Sequence, residues 1–401
     1  MQTSAPSSLA IALISETFAP EINGVARVLL HLCEGLRQRG HRVQVIRPRQ
    51  GQEPRRQDDT LLVRGAPIPG YPDLQWGVSA YHRLLRHWRR QRPDVLYVAT
   101  EGPLGLSAVR AANKLGIPVL SGFHSNFQQY TAHYGLNWLG GLLARYLCWF
   151  HNRCQNTLTP SEPQQRLLHR MGIHKVAVLG HGVDATHFNP AQRKQSLREE
   201  WGVEQNTPVL LHVGRLAAEK NLTLLLRSYQ ALRERGHSPK LVLVGDGPLR
   251  SSLERDLPEA IFTGVLRGQA LAEHYASADM FVFPSCSETF GNVLLEAMAS
   301  GLAIVAIDHA AASLHVQPEH NGLLAQPEDE LGFIEHVCTL YESSESRRRL
   351  RLNARKHATA QGWPTIVAAF EQHLLSLCQP AGTTTPAPSA AQVPLGESQR
   401  V

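Results

Sequence analysis

Short apolar runs of strand length alternate with helical patterns along this chain, and they do so in two separate series. The first passes through residues 9–15 (LAIALIS), 42–46, 61–63, 95–99 and 119–123. The second starts afresh at 209–213 and continues through 241–244, 260–262, 280–283 and 303–307. Strands buried on both faces and joined by helices form a parallel sheet, because helical crossovers are what cover both faces of such a sheet. Two series mean two sheets, and 401 residues are in any case too many for one ordinary core. The fold class expected is α/β, as two Rossmann-like, doubly wound parallel-sheet domains facing across a cleft. Residues 1–184 hold the first domain, 185–207 read as a polar connection, and 208–378 hold the second. The closing helices from about residue 330 belong to the second domain, and the last of them can cross back to the first. Residues 379–401, rich in Pro, Ala, Thr and Ser, read as a disordered tail.

Sheets of this kind hold ligands outside the carboxyl ends of their strands, so the loops there are where function is sought. The most informative one is SCSETFGNVLLEAMASG, residues 285–301, which leaves a buried strand and enters a helix. Thr289, Phe290, Gly291 and Asn292 would offer backbone N–H groups to an anion at the helix N-terminus, and Gly291 lets a ligand come close. Glu288 and Glu296 frame this loop. An ionised carboxylate accepts from both hydroxyls of a vicinal diol. A ligand with a diol at each end of a diphosphate, a nucleotide diphosphate sugar, fits the pattern. Two glutamates at that spacing also arise by chance, one as a turn residue and one as a solvated helix residue. Other loops on the same edge shift the balance. Gly214, Arg215 and Lys220 follow the first strand of the second series, where two cations would neutralise a diphosphate. Gly245 lies in a second glycine-containing turn, LVGDGPL. In the first domain Gly24 heads a helix, and His124 leaves the strand at 119–123. A histidine so placed is a packed residue or a site residue, and the ligand edge favours the second. His181 reads as structural.

Charge and composition narrow the function further. The formal net charge of +6 suits acidic ligands or an anionic surface. Six cysteines are scattered with no C-x-x-C pair, which describes reduced thiols in a cytosolic protein without a zinc site. No signal peptide is legible at the N-terminus, and no apolar run is long enough to span a membrane. The first loop lacks G-x-G-x-x-G, so a nicotinamide or flavin cofactor is disfavoured. Residues 81–92 (YHRLLRHWRRQR) carry Arg83, Arg86, Arg89 and Arg90 beside Trp88 and no acid. That composition suits a helix lying on an anionic membrane, although a solvated basic face over a core stripe is the commoner explanation. Nothing resembles a nucleic-acid reading motif.

Taken together, GRL–EK (Gly214 to Lys220), GDGPL, FTG, SETFGNVLLEAMASG and the N-terminal FAPEINGVARVL resemble the retaining GT-B glycosyltransferases of family 4. Within them the chain is most similar to the branch of bacterial GDP-mannose-dependent α-mannosyltransferases and sulfoquinovosyl- or glucosyl-diacylglycerol synthases. The resemblance spans about residues 11–360. It implies that Glu296 binds the ribose diol, that Glu288 holds sugar hydroxyls and supports the transition state, and that Arg215 and Lys220 grip the diphosphate. It also implies backbone contacts from Phe290, Gly291 and Asn292, with Gly24 against the donor phosphates and His124 against the sugar. Transfer would proceed on one face, the leaving phosphate taking the acceptor's proton, with no cofactor and no metal, and no D-x-D is evident. The sequence departs from the family at Asp308-His309-Ala310-Ala311, where many relatives have D-x-G-G, and at His181, where many read P-N-G-V-D.

The expected function is therefore metal-independent, retaining transfer of a hexose from GDP-mannose or a UDP-hexose to a membrane lipid of the diacylglycerol kind. The partners expected are the nucleotide-sugar donor, the lipid acceptor and an anionic membrane surface, and the place is the cytoplasmic face of the cell membrane. A soluble sugar acceptor, or a non-catalytic nucleotide-sugar sensor on the same fold, remain open from the residues alone. So do the base, the hexose and the oligomeric state.

Overall fold

The computed structural model describes residues 8–19, 21, 24–50, 53, 59–68, 71–124, 140–204, 207–286 and 291–379. The first sheet is built from β1 (Ala10–Ile14), β2 (Arg42–Pro48), β3 (Thr60–Val63), β6 (Val95–Val98), β7 (Val119–Gly122), β8 (Asn156–Thr159) and β9 (Val176–Val178). All pairs are parallel, in the order β3-β2-β1-β6-β7-β8-β9. A separate antiparallel hairpin, β4 (Gly65–Ile68) and β5 (Tyr71–Gly77), projects beyond β3. The second sheet holds β10 (Val209–Val213), β11 (Lys240–Val244), β12 (Ile261–Gly264), β13 (Met280–Phe283), β14 (Ala303–Ile307) and β15 (Leu323–Ala325). It too is parallel, in the order β12-β11-β10-β13-β14-β15.

Each central strand is apolar on both faces because helices cover both. In β10, Val209, Leu211 and Val213 join one buried cluster while Leu210 joins the other. The helices pack through stripes at helical spacing. Helix α1 (Gly24–Gln38) buries Ala26, Leu29, Leu32, Cys33 and Leu36 against the first sheet. Helix α2 (Tyr81–Arg90) buries Leu84 and Trp88, and α3 (Pro103–Leu115) buries Leu104, Ala108, Ala111 and Ala112.

The sequence reading omitted the hairpin, β8, β9 and β15. Segment β8 reads NTLT and carries no apolar run, while β9 (VAV) and β15 (LLA) are apolar but only three residues each, with half-exposed positions, and are too short to stand out. The 185–207 connection is also more ordered than a linker. It contains a helix at Gln195–Glu200, and Arg193 and Arg198 tie it to Asp279 of the second domain at 3.1 and 2.9 Å. The last helix, Trp363–Cys378, crosses back to the first domain. Ile366, Val367, Phe370 and Leu374 join the first-sheet core, and Glu371 takes Arg39 at 2.6 Å and His41 at 2.7 Å. Truncating Phe370 would cost about 3–5 kcal/mol. The two crossings meet where Val183 N–H donates to Gln361 O at 3.0 Å, which places the hinge beside residues 183 and 362.

Candidate active site

Strand order in the second sheet reverses between β10 and β13, so its switch-point crevice lies between the loops leaving those strands. Gly214 and Arg215 leave β10. The Gly214 N–H donates to Val244 O at 3.0 Å and Leu216 N–H to Asp246 O at 2.9 Å, which holds this loop against the one after β11. Gly245 makes that approach possible, since a Cβ on it would stand 1.9 Å from Gly214 O. The guanidinium of Arg215 extends outward, 68% exposed, with Glu219 at 3.8 Å. Lys220 closes the short turn Ala218–Lys220. Two cations on one loop therefore border the crevice.

From β13 the chain reaches Ser285 and Cys286, and Glu288, Thr289 and Phe290 lie outside the described residues. The structure resumes at Gly291, whose φ of 62° and position 2.1 Å (from a notional Cβ) to the Ala311 methyl both exclude a side chain. Asn292 opens the helix Asn292–Ala299. Glu296 follows one turn on and is buried. Its carboxyl accepts from Tyr275 Oη at 3.2 Å and stands 3.6 Å from the Arg27 guanidinium of α1. Burial pushes the Glu296 carboxyl up to about 7, against the pull of Arg27 and Tyr275. Arg27, His31, Asp184, Asn292, Glu296 and Trp363 enclose a gap of only 20 Å³ here, room for about one water.

In the first domain the switch point lies between β1 and β6. Gly24 begins α1, and a Cβ there would meet nothing within 4 Å, so the packing does not demand a glycine. His124 leaves β7 half-buried, its Nε2 at 2.8 Å from Tyr97 Oη. Gly122 makes room for that pair, since a Cβ on it would stand 2.2 Å from the Tyr97 hydroxyl. Burial, with help from the charge of His151, lowers His124 to about 4, so it is a neutral hydrogen-bonding group at pH 7 and not a cation. His181 is buried and lowered to about 3 by burial, in keeping with packing.

Two carboxylates on this edge were not singled out from the sequence. Glu16 follows β1, is 9% exposed, and accepts from Leu104 N–H at 2.9 Å. Burial raises it to about 7, offset by that bond and reinforced by Glu101. Glu101 follows β6 and lies 3.3 Å from His151 Nε2. Their place directly after strands was the available signal. A third omission is His212, wholly buried in β10, where a polar residue interrupts an apolar run. Its Nδ1 lies 3.2 Å from Val282 O, and Nε2 faces Gly214 with no partner among the described residues.

The expected membrane face needs one correction. Arg83, Arg86, Arg89 and Arg90 are all exposed, but Trp88 is 1% exposed and belongs to the core beside Leu84. A helical period puts Trp88 one turn from Leu84, on the inward stripe. Among the described residues the exposed tryptophan is Trp76 of β5, at 47%, near Val78 at 45%. Helix α2 also descends away from the ligand edge. Arg92, beyond its end, donates to the carbonyls of Leu115 and Gly116 at the far edge, so only Arg83 stands by the strand ends.

Residues 22–187 match the family described as Glycosyltransferase Family 4, and residues 207–343 match Glycosyl transferases group 1. This chain belongs to glycosyltransferase family 4. The enzyme is 36% identical over 366 residues to a GDP-mannose-dependent α-mannosyltransferase of Mycolicibacterium smegmatis, covering 89% of this chain and 94% of that one. It is 27% identical to an α-monoglucosyldiacylglycerol synthase of Streptococcus pneumoniae, over 79% of this chain and 73% of that protein. Among solved structures, Anabaena HepE in complex with UDP superposes with a TM-score of 0.72 at 19% identity, covering 92% of this chain and all of that one. At that identity the likeness concerns the fold, and the two parallel Rossmann-like domains are the GT-B arrangement. Among the described residues, no group of three His, Cys, Asp or Glu could hold a metal ion and no helix is long and apolar enough to cross a membrane.

Proposed function

We propose that the enzyme transfers a hexose, with retention, from a nucleotide diphosphate sugar to a membrane lipid acceptor of the diacylglycerol kind. The observation that carries this reading is the switch point of the second sheet, bordered by Arg215 and Lys220 on one loop and by the Gly291–Glu296 helix start on the other. The GDP-mannose-dependent and diacylglycerol-directed relatives support the choice of donor and acceptor. In the proposed step the bond from the anomeric carbon to the diphosphate oxygen breaks and the acceptor oxygen bonds that carbon on the same face. The acceptor's proton passes to the departing diphosphate. Arg215 and Lys220 stabilise the charge that develops there, Glu296 binds the ribose and Glu288 the sugar, and neither a metal nor a cofactor takes part. Closure about the hinge would exclude water.

Labelled GDP-mannose, UDP-glucose, UDP-glucuronate and UDP-galactose offered with diacylglycerol liposomes test the reading. A lipid-soluble product from one donor, lost in Glu288→Ala, is expected. Donor turnover without lipid product would move the acceptor to soluble glycans. That second reading has its own support in the burial of Trp88, which removes the aromatic anchor expected on α2.

A further inference from the structure

The first domain carries a cavity that the donor chemistry does not use. It measures 570 Å³ and sits where β2 and β3 end, on the same carboxyl edge as Gly24 and His124. Arg49, Arg64 and Arg83 converge on it from three separate elements: the end of β2, the end of β3 and the first turn of α2. Leu62 and Val63 give it an apolar side, and Gln75 of the hairpin enters opposite. Gly65 admits that amide, because a Cβ on it would stand 2.1 Å from Gln75 Oε1.

Two of these arginines are held in place by their backbones, and no described acid pairs with any of the three. The Arg49 N–H donates to Val63 O at 3.0 Å, and Arg64 O accepts from Val78 N–H at 2.8 Å, so both backbones are pinned. The Arg49 side chain gives one N–H to Glu53 O at 3.0 Å. Two residues earlier Arg47 shows the contrast, with Glu53 across it at 2.7 and 2.8 Å. No ion pair engages Arg49, Arg64 or Arg83 among the described residues, and none of those lining the cavity is acidic. Three guanidinium groups have fork-shaped donors matched to phosphate oxygens. In the absence of an anion they repel one another, and an anion between them would remove that repulsion.

We propose that this cavity binds a phosphate ester, either the headgroup phosphate of a membrane phospholipid or the phosphate of a soluble phosphorylated acceptor. The inference rests on reading the first domain as the acceptor side. A phosphate seated at the ends of β2 and β3 would hold such a molecule at the edge where His124 and Gly24 face the donor. Trp76 and Val78, exposed on the other face of the same hairpin, suit a lipid surface.

The test is direct binding to the full chain, with no turnover required. Glycerol 3-phosphate is titrated by calorimetry, and sedimentation is measured with vesicles of phosphatidylglycerol. The double variant Arg64→Gln, Arg83→Gln should weaken binding at least about tenfold. The control Arg89→Gln, Arg90→Gln removes the same charge from α2 outside the cavity and should stay within about twofold. All four side chains are exposed, so neither variant challenges folding. Binding to vesicles that is lost only in the first variant assigns the phosphate to a lipid. Binding of glycerol 3-phosphate that vesicles do not compete assigns it to a soluble ligand. Equal loss in both variants, or no binding of either probe by the wild type, overturns the proposal. Since binding is read apart from transfer, a failed lipid transfer with intact binding would reject the acceptor and leave the site standing.

Discussion

At the amino edge of the second sheet, Arg193, Arg198 and Arg351 crowd around the Asp279 carboxylate, while at the carboxyl edge of the first sheet Arg49, Arg64 and Arg83 share a cavity that no described acid lines. Arg198, Arg351 and Arg355 also line a cavity there, of 410 Å³. Their donors are nevertheless engaged. Arg198 donates to Ser277 O, Thr207 O and Asp279, each at 2.9 Å. Arg193 reaches Ala276 O and Ala278 O, and Arg355 reaches Ala185 O and Phe188 O. Several of these carbonyls end helices, where a cation is favoured by the dipole and by the unpaired C=O groups. Equal density of positive charge thus has two meanings. Where the donors meet carbonyls and a carboxylate the cluster is a clamp that fixes the connection to the second domain, and where no described acid pairs with them it is the proposed place for a ligand.

The largest effect that would test this contrast is on stability. Arg198→Met should lower unfolding free energy by about 3–5 kcal/mol, read from urea midpoints, because Asp279 loses its buried partner. A loss below about 1 kcal/mol would mean the amino edge is no clamp.

A second comparison sharpens the first, since each sheet edge also holds one buried carboxylate raised to about 7, Glu16 and Glu296. A carboxyl whose folded pKa exceeds the unfolded value holds its proton longer when folded. Its contribution to stability is full below about pH 4.5 and is lost as pH rises through 7, a change of about 3 kcal/mol for each group. His124 and His212, lowered to about 4, run the opposite way and lose their contribution as pH falls from 6.5. The carboxylates are therefore read as the difference between wild type and variant. Glu16→Gln and Glu296→Gln should each flatten the decline between pH 4.5 and 7 in denaturation curves. Only Glu296→Gln should also weaken nucleotide binding, because Glu16 is engaged at the start of α3.

Smaller effects concern the donor loop. Arg215→Gln should change stability by no more than about 0.5 kcal/mol, its pair with Glu219 being exposed. It should weaken GDP or UDP binding about tenfold in calorimetry. Loss of stability with unchanged nucleotide affinity would put Arg215 with the clamps.

The smallest concerns Ala310, where φ is 48°. The backbone here keeps, with a Cβ attached, a positive φ that favours glycine. Ala310→Gly should stabilise the protein by about 1 kcal/mol in thermal melts. An unchanged melting temperature would mean that the loop relaxes at no cost.

Much of the fold and half of the site were legible in the residues. The central strands stand out because burial on both faces demands unbroken apolar runs, and α1 and α2 because their stripes follow the helical period. Gly291, Arg215, Lys220 and Glu296 could be named as candidates because one loop or one helix turn carries each group. The last two strands of the first sheet were not legible, since β8 is largely polar and β9 is only three residues long. Trp88 was misplaced because sequence gives a helix two faces without saying which one is covered.

The residue pattern by itself therefore determined the two parallel sheets and which loops leave their strands, because these depend on neighbours within one segment of chain. Tertiary structure decided what depends on residues far apart in the chain. It brought Arg27 to Glu296, Tyr97 to His124, Glu371 to Arg39, and Arg49, Arg64 and Arg83 to one cavity. Whether a charge is paired or open is a property of the space around it, and only the packed fold defines that space.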